Sequence, residues 1–180
     1  MKPMSELVDV MRQDRARVIE TVAGWSAEQG AFRPRPEAWS ASEVLEHLYA
    51  AEFFVINLLW RGIDGVRVNR PIWDGQHTNR GRSIEVLVAV FAVGKYKAHP
   101  KTEATIGGTL PFWAGALDSC QPMLERLGSA LQEVDQEAII FPHFIVGPMD
   151  ANQWIQFMRF HLNRHWAQIE RLRTIEGFPA

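Results

Sequence analysis

Apolar side chains recur every three to four residues through most of this chain, and the recurrence stops at a few glycine- and proline-rich points. That period belongs to helices that bury one face. A first helix is expected over residues 5–24, with Leu7, Val10, Met11, Val18 and Val22 on its buried stripe and Gly24 as its stop. The segment holding Gly30, Pro34 and Pro36 breaks the pattern. A second helix has a fully written start: Ser40 as N-cap, Glu43 closing a capping box, and Trp39 placed to pack on Val44 as a staple. It is expected to reach about Trp60 and to end at Arg61 and Gly62.

Residues 62–82 read as a polar loop carrying Gly65, Pro71, Gly75 and Gly81; its Trp73 and His77 could line a pocket mouth, with a solvated loop as the preferred reading. A shorter helix follows over residues 83–97, with Ile84, Leu87, Val88 and Phe91 on one side, and residues 99–111 form a second loop. The next helix runs to about Val134. Pro122 is tolerable only in its first turn, which puts the start near Asp118 or Ser119. A strand pattern is confined to residues 138–144. The final helix repeats the device of the second, with Met149 as staple, Asp150 as N-cap, Gln153 three residues on and Trp154 after it. With no repeat, linker or low-complexity tract, residues 1–180 read as one all-α domain, an up-down four-helix bundle with an extra short helix and long connecting loops.

The candidate chemistry lies on two of these stripes. His161 and His165 stand one turn apart on the final helix, among Trp154, Met158, Leu162, Ile169 and Leu172, so both rings point inward. Of the six histidines, His47 alone repeats the pattern on another helix, among Val44, Leu48, Ala51, Val55 and Leu58. Three imidazoles from two helices suit a metal site that keeps a position for water or substrate. The competing reading is three neutral core histidines, each donating to a carbonyl or carboxylate. Periodicity does not show that the two helices touch.

Composition narrows the classes. An apolar content of 47% with seven tryptophans excludes a disordered chain, and 180 residues suffice for a sizeable core. A formal charge of −2 leaves no electrostatic footprint for nucleic acid. Lys95, Lys97 and Lys101 form a small solvated basic cluster. No signal-peptide pattern or membrane-span run is present, so the expected location is the cytoplasm. The lone Cys120 reads as a small helix residue rather than a nucleophile.

Ala38-Trp39-Ser40-Ala41-Ser42-Glu43-Val44-Leu45-Glu46-His47-Leu48 resembles the "W-S-x-x-E-v-l-x-H-L" segment of the DinB-like (YfiT-like) superfamily. Val146-Gly147-Pro148-Met149-Asp150, leading through Trp154 to His161-Leu162-Asn163-Arg164-His165-Trp166-Ala167-Gln168-Ile169, resembles that family's C-terminal motif. The resemblance implies a four-helix bundle in which His47, His161 and His165 bind one divalent metal ion, zinc, nickel or iron, and in which homodimers are common.

It also implies a function class: transfer of a low-molecular-weight thiol to a small electrophile. Metal-dependent hydrolysis and a non-catalytic, stress-associated metal-binding role are the alternatives. In the enzymatic readings the cation acidifies a thiol or water and supplies a nucleophile near neutral pH. The partners are then small molecules, with no nucleic acid and no membrane. No acid or base stands out. Glu43 is spent on the capping box, Glu46 is expected to face solvent, Glu52 lies one residue off the stripe, and Asn163 and Arg164 are expected to point away. His143, just before the final helix, is the one candidate for a fourth ligand, with a solvated turn histidine as the alternative. Trp60, Trp73 and Trp113 are placed near helix ends or loops, where they could rim a pocket or interface.

Overall fold

The computed structural model describes residues 2–94 and 96–180, so Lys95 of the expected basic cluster lies outside the described residues. Four long helical stretches build the bundle. They are α1 (Met4–Val22), α3 (Ala41–Arg67), the broken pair α6 (Leu110–Asp118) and α7 (Cys120–Leu131), and α8 (Ala151–Leu172). Short helices α2 (Ala27–Ala31), α4 (Ile84–Val88) and α5 (Val90–Val93) sit in the connections. α1 packs on α7 and α8, and α3 on α6, α7 and α8. Their shared interior is aliphatic: Met11, Val18, Leu45, Leu48, Ile56, Leu59, Leu124, Leu127, Ile155 and Leu162 are fully enclosed. This is the all-α bundle expected from the period.

Several boundaries move for physical reasons. α3 does not stop at Gly62 but continues to Arg67. Gly62 is a contact glycine, since a Cβ there would stand 2.4 Å from Cγ2 of Ile139, which is itself buried. Gly65 is likewise pressed against the Arg70 carbonyl, where a Cβ would meet the oxygen at 2.6 Å. Close approach here overrides the low helix propensity of glycine.

The helix expected over residues 83–97 is two short pieces ending at Val93, with Gly94 extended. Val86 and Val93 are exposed, so apolar content there overstated the buried face. Conversely, residues 110–118, partly assigned to a loop, are helical. Thr109 caps α6 by accepting from the Phe112 amide at 3.4 Å, and Pro111 occupies the first turn, where its missing N–H costs nothing. The helix restarts at Cys120, close to the expected start, and Pro122 again falls in a first turn.

The strand pattern also has a partner. β1 (Ile140–His143) pairs antiparallel with β2 (Gly147–Asp150), Phe141 opposite Met149 and His143 opposite Gly147. Trp154 of α8 locks the hairpin to the bundle, donating from Nε1 to the Phe141 carbonyl at 3.1 Å and stacking on its ring. Gln153 ties down the long 68–83 loop. Its Nε2 donates to the carbonyls of Asn79 and Arg82, both at 2.9 Å, and its Oε1 accepts from His77 at 3.2 Å. Trp60 lies within α3 and Trp113 is buried within α6, so neither marks a helix end. No helix among the described residues is long and apolar enough to cross a membrane.

Candidate metal centre

Both site-bearing helices begin with complete capping boxes, which fix the rotation at which their stripes meet. Ser40 Oγ accepts from the Glu43 amide at 3.3 Å and Glu43 Oε2 accepts from the Ser40 amide at 2.8 Å. Asp150 and Gln153 make the same reciprocal pair at the head of α8. With that rotation, His47 on α3 meets His161 and His165 on α8. Their Nε2 atoms stand 2.9 Å (His47 to His161) and 3.1 Å (His165 to His161) apart. His47 and His165 are buried and His161 half-buried. The Trp39 ring packs against the core and lies beside His47 at 4.9 Å and His165 at 6.4 Å.

Proton positions follow from the outer ring atoms. His47 Nδ1 lies 2.6 Å from the Thr102 carbonyl oxygen, which can only accept, so Nδ1 carries the proton. His165 Nδ1 likewise donates to Gln168 Oε1 at 2.9 Å. A neutral ring protonated at Nδ1 presents a bare lone pair at Nε2. Two such lone pairs converge on His161 Nε2, and one proton there satisfies only one of them. A cation satisfies all three. Two nitrogens on a tetrahedral zinc stand about 3.3 Å apart, close to the separations here.

The rings are held neutral. Burial lowers the pKa of His47, against the opposing pull of the Thr102 hydrogen bond. Burial and then the neighbouring His47 push His165 down to about 3. Burial, then His165 and His47, holds His161 well below its ordinary value. Among the described residues, these three form the cluster able to hold a metal ion, and each offers one ligand atom within 4.8 Å of the others.

His143 is not part of that cluster. Its Nδ1 accepts from the amides of Ile145 and Val146 at 3.1 and 3.2 Å. Glu46 does not face solvent; it is 2% exposed. Its Oε1 accepts from the Thr105 and Ile106 amides at 2.6 and 2.7 Å, and its Oε2 from Gly107 at 3.0 Å. Gly107 and Gly108 both take positive φ, which lets consecutive amides converge on one carboxylate. Glu46 thus anchors the loop whose Thr102 carbonyl orients His47. Reasoning from helical faces missed this because Glu46 sits beside the stripe; the Gly107-Gly108 pair was the available signal.

Glu52 is buried and its Oε2 pairs with Arg15 of α1 at 2.6 Å, while its Oε1 has no hydrogen-bond partner. Asn163 turns to Asp14, donating at 2.8 Å, and Arg164 reaches the Phe91 carbonyl at the surface. Cys120 is buried and burial pushes its thiol up to about 12, which removes it as a nucleophile.

The three histidines line a cavity of about 980 Å³. Its walls mix aromatic rings, Trp39, Phe54, Phe91, Phe141, Trp154 and Phe157 among them, with aliphatic and charged side chains that include Glu52, Lys97, Glu103 and Arg164. Trp73 and His77 do not line it.

The sequence profile of the DinB superfamily matches residues 11–169, spanning all three histidines. The chain belongs to the DinB superfamily. It is also similar to the uncharacterized protein YuaE of Bacillus subtilis (strain 168), with 23% identity over 172 residues covering 92% of this chain and 96% of that protein. No solved structure gives a significant match. Membership joins the geometry in pointing to metal binding through His47, His161 and His165. Neither names the ion.

Proposed function

We propose that this DinB-superfamily protein is a metal-dependent enzyme that transfers a low-molecular-weight thiol to a small electrophile. The observation that carries the reading is the pairing of three neutral, converging imidazole nitrogens with a cavity of about 980 Å³ rich in aromatic rings. A three-nitrogen donor set suits zinc, nickel or iron and keeps a coordination position for a reactant. A bound divalent cation supplies Lewis acidity and makes a thiol or water a nucleophile near neutral pH.

The chain's own residues divide the remaining work. Thr102 and Gln168 fix the ring orientations of His47 and His165. The aromatic rings of the cavity receive the apolar body of the electrophile. In the reaction a carbon–sulfur bond forms at the electrophilic carbon. The thiol proton ends on the leaving group or, for a conjugated acceptor, on the adjacent carbon.

Intrinsic acidity favours thiol over water. Glu46 is engaged by three amides and does not line the cavity, whereas Glu52 lines it, giving Oε2 to Arg15 and leaving Oε1 without a hydrogen-bond partner. A thiol, with an unperturbed pKa of about 8.5, needs less help than water.

The test is elemental analysis beside turnover. Untagged protein purified without chelator is expected to hold about one equivalent of divalent metal, lost in His47→Ala. The metal-loaded protein is expected to consume monochlorobimane with glutathione, bacillithiol or mycothiol, and the variant is not. Ester or amide turnover without thiol would replace this reading with a hydrolase. Metal binding with neither activity would leave a non-catalytic metal protein. A homodimer acting on small molecules is part of the same proposal.

A further inference from the structure

His143 lines the cavity yet serves neither the metal cluster nor the core. Its ring stacks on Phe144 at 4.7 Å and lies tilted against Phe157 at 4.6 Å and Trp154 at 5.7 Å. Its Nδ1 accepts two backbone N–H groups of its own turn. Those amides also fix the ring's orientation: turned over, it would set a carbon against both donors and leave them unpaired. With Nδ1 committed as acceptor, the proton of the neutral ring sits on Nε2. Burial, with a smaller contribution from His99, pushes His143 down to about 4, so the ring is neutral at pH 7. Nε2 makes no hydrogen bond to another described residue, although it belongs to a cavity-lining ring.

The hairpin therefore presents one oriented N–H to the cavity, beside the rings of Phe144, Trp154 and Phe157. We propose that His143 Nε2–H binds the acceptor oxygen of the electrophile, so that the substrate class is an apolar, often aromatic, body carrying a conjugated carbonyl. A neutral imidazole suits this task, because it polarises a carbonyl by donation without bringing a second charge next to the cation. Donation draws electron density toward the oxygen and leaves the conjugated carbon more open to sulfur. In that conjugate addition sulfur bonds to the β-carbon, and the thiol proton is delivered to the α-carbon. The inference rests on the electrophile-binding reading above, but its test needs neither thiol nor turnover.

The probe is 4-phenylbut-3-en-2-one, whose ultraviolet band moves to longer wavelength when its carbonyl accepts a hydrogen bond. Full-length protein is titrated with it both zinc-loaded and metal-free. A red-shifted band is expected in both states, retained in His143→Gln, whose amide can place a donor near the Nε2 position. In His143→Phe the shift in the metal-free protein should be lost and binding should weaken about tenfold, the worth of one neutral hydrogen bond. Nitrogen-15 imidazole spectra of the parent should show Nε2–H at neutral pH, a signature independent of whether the variants fold. Metal content should be unchanged in both variants.

The proposal is overturned by an Nδ1–H tautomer, by loss of metal from His143→Phe, or by a shift that survives that variant. It is also overturned if the enone binds the parent without a shift, or not at all. A positive result beside absent thiol transfer would spare the binding role of His143 and remove only the transferase reading.

Discussion

Thr102 holds His47 from outside the bundle: its backbone carbonyl accepts the ring's Nδ1–H at 2.6 Å. The carbonyl belongs to a loop rather than a helix, and the loop is fastened by the residue preceding His47 in sequence. Adjacent side chains of α3 thus share one task, Glu46 securing residues 105–107 and His47 taking its orientation from residue 102.

Glu46→Ala should therefore weaken metal binding about 10- to 100-fold, the usual effect of losing an outer partner of a ligand. Competition with a chromophoric zinc chelator measures it. Glu46→Gln, which keeps one acceptor oxygen for three amides, should fall between parent and Ala. Equal affinity in all three would show that Thr102 holds its place without Glu46.

Metal-free protein should lose stability as the pH drops below the ordinary histidine value of about 6.5. The folded-state values of His165 (about 3) and His143 (about 4) lie below it, so in this range the unfolded chain binds protons that the folded chain refuses. Stability attributable to these rings is present above about 6.5 and falls as pH drops toward their folded values, by up to about 1.4 kcal/mol per pH unit for each ring. Urea midpoints at pH 7.5 and 5.5 test this. The decline should be smaller in His143→Phe, and an equal decline would mean that His143 titrates normally.

Arg15 and Glu52 are each 1% exposed and bridge α1 to α3, with Arg15 also bonded to Gln121 of α7. Either partner replaced alone by Ala should cost about 3–5 kcal/mol by urea unfolding, because the other charge is left buried without its counterion. Arg15→Met combined with Glu52→Leu should cost much less than the two single losses together. Additive losses would indicate that packing, not charge, carries the effect.

Gly62→Ala should destabilise by about 1–3 kcal/mol, since the new methyl meets a stiff β-branched neighbour, Ile139, at 2.4 Å. Ile139→Ala should then make the second change nearly neutral. A Gly62→Ala variant as stable as the parent would mean that residues 136–140 shift freely.

The histidines were legible because each sits on a strongly periodic stripe of a helix with a written start, so a wheel drawn from Ser40 or Asp150 aims the rings correctly. Their meeting was not legible from periodicity, which says nothing of how two helices cross. Glu46 and the 102–107 loop escaped for a related reason: a carboxylate capping distant amides leaves no mark on its own helix. The ends of α3 and α6 were misjudged where one residue type serves two purposes. Gly62 looked like a stop and Gly65 like loop, but both are contact points, and Pro111 looked like loop while occupying the one helical turn that accepts it.

His47 and His161 lie 114 residues apart along the chain, while their ring nitrogens lie 2.9 Å apart in space. During synthesis, His47 emerges long before its partners and has no other imidazole of the triad to share an ion with. Three-point capture waits until α8 has been made and has docked against α3. An ion held by all three rings would thereby be reserved for chains that have closed the bundle, and occupancy of the site would record finished folding.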